Sequence, residues 1–425
     1  MVDRVIAGSP SDIWAATKEL GTTQASFDKY FAGRTLAYAY QIATSVRYTH
    51  WIDRAAISHL EPGFRVPQNF LYLQNLPRLH AALKDVALSE AMATIRGPVT
   101  LKPFAHSSAQ RFRQAVAKHI ATSYLETGSS YADNLVAIAQ TGLDAEGFLT
   151  ERKMIYEVTV KSRPAGFVVF TLKRGGAVKT GPLILGETYR NRGIGGDLRQ
   201  QFHAAFLKCG YRKVFATVPA NNVPAVQYLL TAGYRLEAHL ARQYHPDHDE
   251  LVLGHMLTDT IGPGPEFIRP IMPCEDFTEV TKPSAEVCGF LKEEFSAVVC
   301  SVSDEWAEKQ VSMACSSQPS FKPRRIFVGR GMGLVLLAVC LMKRGGSVKV
   351  ILLSRTGHQP SMTDFLEFVK RTLTASASVR RIYTVVPAYD VDVIESFRVF
   401  GCVPEGILNR PYNSNSAMLV MGKLL

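Results

Sequence analysis

The chain contains a copy of part of itself. Nothing else in it restricts the fold as strongly, because a repeated segment must build the same elements around the same kind of core twice. The octapeptide Leu172-Lys-Arg-Gly-Gly-Ala-Val-Lys179 returns as Met342-Lys-Arg-Gly-Gly-Ser-Val-Lys349, identical at six of eight positions. Residues 212–257 then align without a gap to residues 380–425, identical at 14 of 46 positions. Among the matches are the two Val-Pro-Ala triplets (218–220 and 386–388), Gly233 with Gly401, Glu237 with Glu405, Arg242 with Arg410 and Tyr244 with Tyr412. In both copies Gly-Gly separates apolar, β-rich runs, which predicts a hairpin.

Two units of about 160 residues, each of ordinary domain size, follow a different N-terminal segment. This predicts three domains: 1–95 of uncertain type, 96–262, and 263–425, with the Pro- and Gly-rich stretch 261–265 as the junction between copies. A chain of 425 residues is also too long for one core. At 47% hydrophobic and 20% charged it has the composition of a folded soluble protein, which excludes disordered, collagenous and mucin-like readings. The longest apolar run, residues 332–342, is well short of the ~20 residues that cross a bilayer and reads as a buried strand. Seven cysteines without a CxxC pair read as reduced core thiols. With no apolar stretch of signal-peptide length at the N-terminus, a cytoplasmic protein is expected. The net charge of +11 raises the question of nucleic acid. Its distribution is +1, +7 and +3 over the three segments, so most of the excess belongs to the middle one.

The expected class is α+β, each copy a mixed sheet with a helical first half. In the first copy residues 165–173 and 178–185 read as strands, and 195–209 as a helix with Leu198, Phe202, Ala205 and Phe206 on one face. Residues 213–218 read as a strand, 223–232 as a helix stopped by Gly233, and 235–244 with 250–257 as a closing hairpin. Between the second strand and the first helix lies Arg190-Asn-Arg-Gly-Ile-Gly-Gly196. Glycines at a helix start admit a ligand close to the backbone, and the free amides there, with the helix dipole, suit an anionic phosphate. Gly-rich turns of this kind also occur for steric reasons alone.

The order strand, Arg190-x-x-Gly193-x-Gly195, amphipathic helix, strand, Asn222-x-x-Ala225 and Gly233-Tyr234 resembles the GCN5-related N-acetyltransferase (GNAT) family. The resemblance implies that Arg190, Asn191, Arg192, Gly193, Ile194, Gly195 and Gly196 bind the diphosphate of acetyl-CoA. It also implies that Leu183, Ile184 and Leu185 offer strand backbone to the pantetheine arm, and that Asn222 approaches its thiol end. The chain departs from the family where a general-acid Tyr is frequent, four residues before the terminal Gly: here that residue is Leu229. Tyr228 is one residue early, about 100° around the helix, so it is either a displaced acid or a core residue. The carboxylate usual on the fourth strand is also missing from Lys179-Thr-Gly-Pro182, which leaves Glu157 and Glu187 as candidate bases.

The second copy has Ser354-Arg-Thr-Gly-His-Gln-Pro360 where the first has its Gly-rich loop, so it is expected to be a degenerate scaffold. Residues kept in both copies, such as Tyr244/Tyr412 and Arg242/Arg410, point to the fold. Residues confined to the first copy, including Asn222 and His255 (Lys423 in the second), point to function. His245-Pro-Asp-His-Asp-Glu250 has metal-binding residue types, but it lies at a predicted hairpin tip and reads as a solvated turn, so no metal is expected. Residues 1–95, with Phe27-Asp-Lys-Tyr-Phe, an aromatic-rich run at 64–73 and an apolar helix near 76–87, are similar to PUA-like small β-barrels or serve as a structural or substrate-orienting domain. The expected function is N-acyltransfer from acetyl-CoA to an amine acceptor, with no membrane partner. The alternative is a non-catalytic CoA sensor or nucleic-acid-binding regulator on the same fold.

Overall fold

The structure is a computed structural model that describes residues 2–16, 23–42, 57, 77–93, 95, 97–119, 129–141, 147–258, 269–316, 323–412 and 417–425. The aromatic run at 64–73 and the junction at 261–265 lie outside these. Near the N-terminus β1 (Val2–Gly8) and β2 (Ala37–Ile42) pair antiparallel, with α1 (Pro10–Ala16) and α2 (Gln24–Phe31) between them in sequence. Ile13 and Ala37 are buried between these elements, with Phe27 and Phe31 packed against them.

The next helix is α3 (Pro77–Ala93), just before the expected boundary at 95. Its Leu88, Ala91 and Met92 have the i, i+3, i+4 spacing of one helix face. They are buried in one core with Phe170, Leu198, Phe202 and Phe206 of the following segment. A cut at 95 would separate a helix from the sheet it covers.

That sheet contains β3 (Val99–Pro103), β4 (Thr150–Val160), β5 (Arg163–Lys173), β6 (Ala177–Leu185), β7 (Lys213–Pro219), β8 (Arg235–Leu240) and β9 (Glu250–Met256). The helices of this half are α4 (Ala109–His119), α5 (Ser129–Thr141), α6 (Ile194–Lys208) and α7 (Val223–Thr231). Along β5 the side chains alternate between two cores: Val168, Phe170 and Leu172 join α3, α6 and α7, whereas Phe167 and Val169 join α4 and α5. Helices on both faces explain why the strand is apolar throughout rather than alternating with polar residues.

The second half has β10 (Asp276–Glu279), α8 (Ala285–Val298), α9 (Asp304–Cys315), β11 (Arg324–Arg330), β12 (Leu334–Met342), β13 (Ser347–Ser354), α10 (Gln359–Ser376), β14 (Arg381–Pro387), α11 (Val391–Val399), β15 (Val403–Leu408) and β16 (Met418–Leu424). The long apolar run is β12, whose Leu336, Ala338 and Cys340 face one core and Leu337, Val339 and Leu341 the other.

The strands form one continuous 14-stranded sheet in the order β10-β11-β12-β13-β14-β16-β15-β8-β9-β7-β6-β5-β4-β3. The halves therefore have the same strand order and meet where β8 and β15 pair antiparallel, with Gly406 opposite Ala238. A Cβ on Gly406 would strike the Glu237 carbonyl and Ala238. Two buried ion pairs flank this seam in equivalent positions. Lys213 Nζ is 2.5 Å from Glu237 and donates to the Asn409 carbonyl at 2.6 Å. Arg381 pairs with Glu405 and donates to the Ala241 carbonyl at 2.6 Å. Each cation thus serves its own half and caps the other. Burial pushes Lys213 down and Glu237 up from their ordinary values, while their mutual attraction opposes both shifts. Arg242 and Arg410, two residues past the ends of β8 and β15, take left-handed φ of 49° and 42°. That conformation ends β8 at Leu240, short of the expected 244. Among the described residues the seven cysteines are free thiols, and no helix is long and apolar enough to cross a membrane.

Candidate functional site

Strands β6 and β7 run parallel, and their pairing covers only Ala177–Lys179 against Lys213–Phe215. Beyond it they diverge. On the other side β6 stays paired to β5 through Leu183, Ile184 and Leu185, with a register shift between the Phe170–Thr180 and Val168–Leu183 pairs. The bulge bends β6 away from β7. The result is a wedge whose apex is Thr180, where the hydroxyl donates across the gap to the Phe215 carbonyl at 3.4 Å. Crevices at the carboxyl ends of parallel strands are common ligand sites.

The Gly-rich loop stands at the mouth of this wedge. After β6 a short turn, Glu187–Tyr189, brings Arg190 back so that its Nε donates to the Leu185 carbonyl at 2.9 Å. Asn191 takes φ 56° and Gly193 φ 78°, and Gly193 caps α6 in the left-handed conformation. The Gly193 carbonyl receives the Gly196 amide at 2.9 Å and the Asp197 amide at 3.1 Å. The amides of Ile194 and Gly195 then have no acceptor within the helix. Arg190, Asn191, Arg192 and Gly193 are exposed, whereas Ile194 is buried in the core and anchors the turn.

Tyr228 points at this loop. Its hydroxyl donates to the Gly195 carbonyl at 2.6 Å, and a Cβ on Gly195 would lie 3.2 Å from that hydroxyl. Burial raises its pKa, so the proton stays on. Asn222 caps α7 by accepting from the Ala225 amide at 3.3 Å. Glu187 is exposed and pairs with Lys118 at 2.8 Å. Glu157 is buried on the α4 face, 2.6 Å from Arg111, in a cleft of about 170 Å³ that Gly166, Phe167, Ile184 and Gly186 also line. The structure therefore brings Tyr228 and the loop together, and places Glu157 and Glu187 in two separate surroundings.

Other polar residues gather at the apex that the sequence reading did not combine. Tyr234 is buried, and its hydroxyl lies 2.9 Å from His203 Nε2. His203 stacks on His255 at 4.8 Å, and His255 Nδ1 is 3.1 Å from the Gly233 carbonyl. Burial, then the neighbouring His255 and Arg199, push His203 down to about 3. On the opposite face Lys179 is lowered by burial, and the field of Glu250 acts against that shift. Glu250 is itself buried on β9. One signal was available: His255 and Glu250 become Lys423 and Met418 in the second copy.

In the second half β13 and β14 pair over Ser347–Val350 against Arg381–Thr384 and then diverge in the same way. Here the chain fills its own gap. Arg269 Nε donates to the Ser354 carbonyl at 2.9 Å, and its two Nη groups hold Asp390 at 2.6 and 2.8 Å. Asp390 is the counterpart of Asn222 and caps α11. The segment then crosses the loop. Thr356 Oγ1 bonds both the amide and the carbonyl of Met272, the Gly357 amide donates to the Pro270 carbonyl at 3.0 Å, and the Cys274 amide donates to Ser361 Oγ at 3.0 Å.

No protein-family model matches the chain, and no curated protein matches it. The solved structures that resemble it are GNAT acetyltransferases at low identity. One is a putative acetyltransferase of the GNAT family from Desulfovibrio desulfuricans, at 17% identity and TM-score 0.33, covering 38% of this chain and 99% of that one. A second is the acetyltransferase from Salmonella typhimurium that modifies the N-terminal serine of ribosomal protein L7/L12, at 16% identity and TM-score 0.32, covering 38% and 96%. A third is the putative acetyltransferase yncA of Salmonella typhimurium with its cofactor acetyl-CoA, at 12% identity and TM-score 0.32, covering 39% and 98%.

Proposed function

We propose that the chain is an N-acyltransferase that moves an acetyl group from acetyl-CoA to an amine, with one working site in the first half and a degenerate copy of it in the second. The contrast between the two wedges carries this reading. The first opens onto helix-terminal amides and two exposed arginines, a setting for a diphosphate. The second, built on the same register, is closed by Arg269 and the segment behind it.

Within the first wedge, Arg190, Asn191, Arg192 and the Gly193–Gly196 backbone hold the diphosphate. The β7 side of Leu183–Leu185 faces the pantetheine amides with its backbone, of which the Leu185 carbonyl already accepts from Arg190. The thioester then lies towards Thr180. A primary alkylamine has a pKa near ~10.4, so attack on the thioester carbonyl requires the amine to lose a proton first. Glu157, Glu187 and Glu250 are the carboxylates near β6 that can receive it directly or through water.

A non-catalytic CoA sensor is the second reading, favoured by the commitment of the Tyr228 hydroxyl to the Gly195 carbonyl. Incubation of the full chain with acetyl-CoA and a panel of primary amines, read by release of free thiol, separates the two. The acyltransferase reading expects amine-dependent turnover; stoichiometric binding without thiol release for any amine would favour the sensor.

A further inference from the structure

The two ends of the seam between the halves are built from equivalent residues, yet their polar groups are not equally satisfied. At one end Arg381 holds Glu405 and donates to the Gln243 side chain at 3.2 Å and to the Ala241 carbonyl, while Ser347 Oγ donates to the Gln243 carbonyl. Beside it Arg380 Nε donates to the Gly345 carbonyl at 2.7 Å, and Arg242 is exposed to solvent. At the other end Lys213 stands for Arg381, Arg212 for Arg380 and Arg410 for Arg242, but Pro411 replaces Gln243 and Ala177 replaces Ser347. Lys213 takes Glu237 and the Asn409 carbonyl, which brings residue 410 beside residues 212 and 213. Arg410 is only 7% exposed, and its Nη2 is buried without a hydrogen-bond partner. Among the described residues neither Arg410 nor Arg212 has an ion pair.

A buried guanidinium with an idle donor is rare, because it has lost its water without gaining a partner, and a like charge beside it makes the burial less favourable still. Burial, then the field of Arg212, push Arg410 below its ordinary value. Holding the fold together does not account for the side chain. The left-handed φ at residue 410 belongs to the backbone and recurs at the exposed Arg242, and the Arg410 side chain makes no hydrogen bond across the seam among the described residues.

We propose that Arg212 of the first half and Arg410 of the second form a binding site for a terminal phosphate group, either inorganic phosphate or a phosphate monoester. Charge selects the ligand. Glu237 balances Lys213, which leaves the two guanidinium charges uncompensated. A phosphate monoester carries about −1.5 to −2 at neutral pH, closer to that excess than the single charge of a carboxylate. Guanidinium forks also match phosphate oxygens in geometry. The site is distinct from the Gly-rich loop. Arg212 precedes β7, whereas the open wedge lies past the other ends of β6 and β7, so the two anion sites occupy opposite edges of the sheet. A phosphate held here bridges the halves, and the inference is independent of the acyltransferase reading.

Calorimetric titration of the full chain with inorganic phosphate, at neutral pH and constant ionic strength, tests the assignment. Saturable binding should appear in the wild type and persist in Gly193→Val, which alters only the wedge, and in Arg242→Met, which removes the exposed counterpart. Arg410→Met should weaken it by about tenfold or more. Without phosphate, Arg410→Met should unfold at a denaturant concentration no lower than the wild type, because an idle buried charge has been removed. Acetate should bind at least about tenfold more weakly than phosphate. Adenosine monophosphate separates the two sources: tighter binding than inorganic phosphate assigns the site to a phosphate ester, and equal binding to the phosphate group alone. No saturable phosphate binding in the folded wild type, binding that survives Arg410→Met, or acetate bound as tightly as phosphate would overturn the assignment. If Arg410→Met does not fold, Arg212→Met decides the outcome, with the same loss of phosphate binding expected.

Discussion

Single residues decide where an anion can come close to the backbone. Gly193 caps α6 at φ 78°, a conformation that costs a side-chain-bearing residue about 1–2 kcal/mol. Gly193→Val also places a branched side chain beside the free amides. CoA affinity, measured by calorimetry, should fall at least tenfold, about 1.4 kcal/mol. Gly357→Val in the second half would bring a Cβ within 2.8 Å of the Asp392 carboxylate and should reduce stability while leaving CoA affinity unchanged. An equal loss of affinity in both variants would contradict this. His203 makes a different prediction. Its pKa is about 3 in the folded chain against 6.5 ordinarily, so the unfolded chain binds a proton that the native chain refuses between those values. Stability should therefore fall on acidification from pH 6.5 towards 3, and His203→Gln should remove about one proton's worth of that slope. Denaturant midpoints at pH 7, 5 and 4 check it; identical slopes would contradict it.

The elements show what the sequence made legible. The strand, loop and helix from Ala177 to Lys208 could be read because their signals are local: alternating apolar residues, glycines at a helix start and one apolar helix face. The wedge could not, because it depends on where β6 stops pairing with β7, a register between segments more than 30 residues apart in the chain. The apex cluster was hidden for the same reason, since packing alone unites Thr180, His203, Tyr234 and His255. The apolar face of helix α3 shows that it packs but not against what, so its contact with Phe170 and Phe202 was not legible. The filling of the second wedge was equally non-local: Arg269 precedes β10 and acts on Ser354 and Asp390. Both partners are largely buried. Arg269→Met leaves the Asp390 charge without its partner and should cost about 3–5 kcal/mol in denaturant unfolding. Arg269→Met with Asp390→Leu should recover most of that loss, and a single-variant cost under about 1 kcal/mol would show that the pair does not hold the segment down.

At the scale of the molecule, the halves share one sheet, and β8 would become an open edge if the second half were removed. Val252, Ala238 and Leu240 are buried with Val420 across the seam, and Glu237 with Lys213 lies beside it. An exposed strand edge with apolar neighbours is an aggregation template. A chain ending at residue 258 should therefore scatter light and lose CoA binding, whereas a soluble monomer that binds CoA like the full chain would show that the halves are independent modules.

One open wedge and one closed by its own chain leave room for a single CoA, and titrating the full chain with CoA in a calorimeter counts the sites. One site per chain is the expected result, lost in Gly193→Val and kept in Gly357→Val. Two equivalent sites, or none in a folded protein, would contradict it.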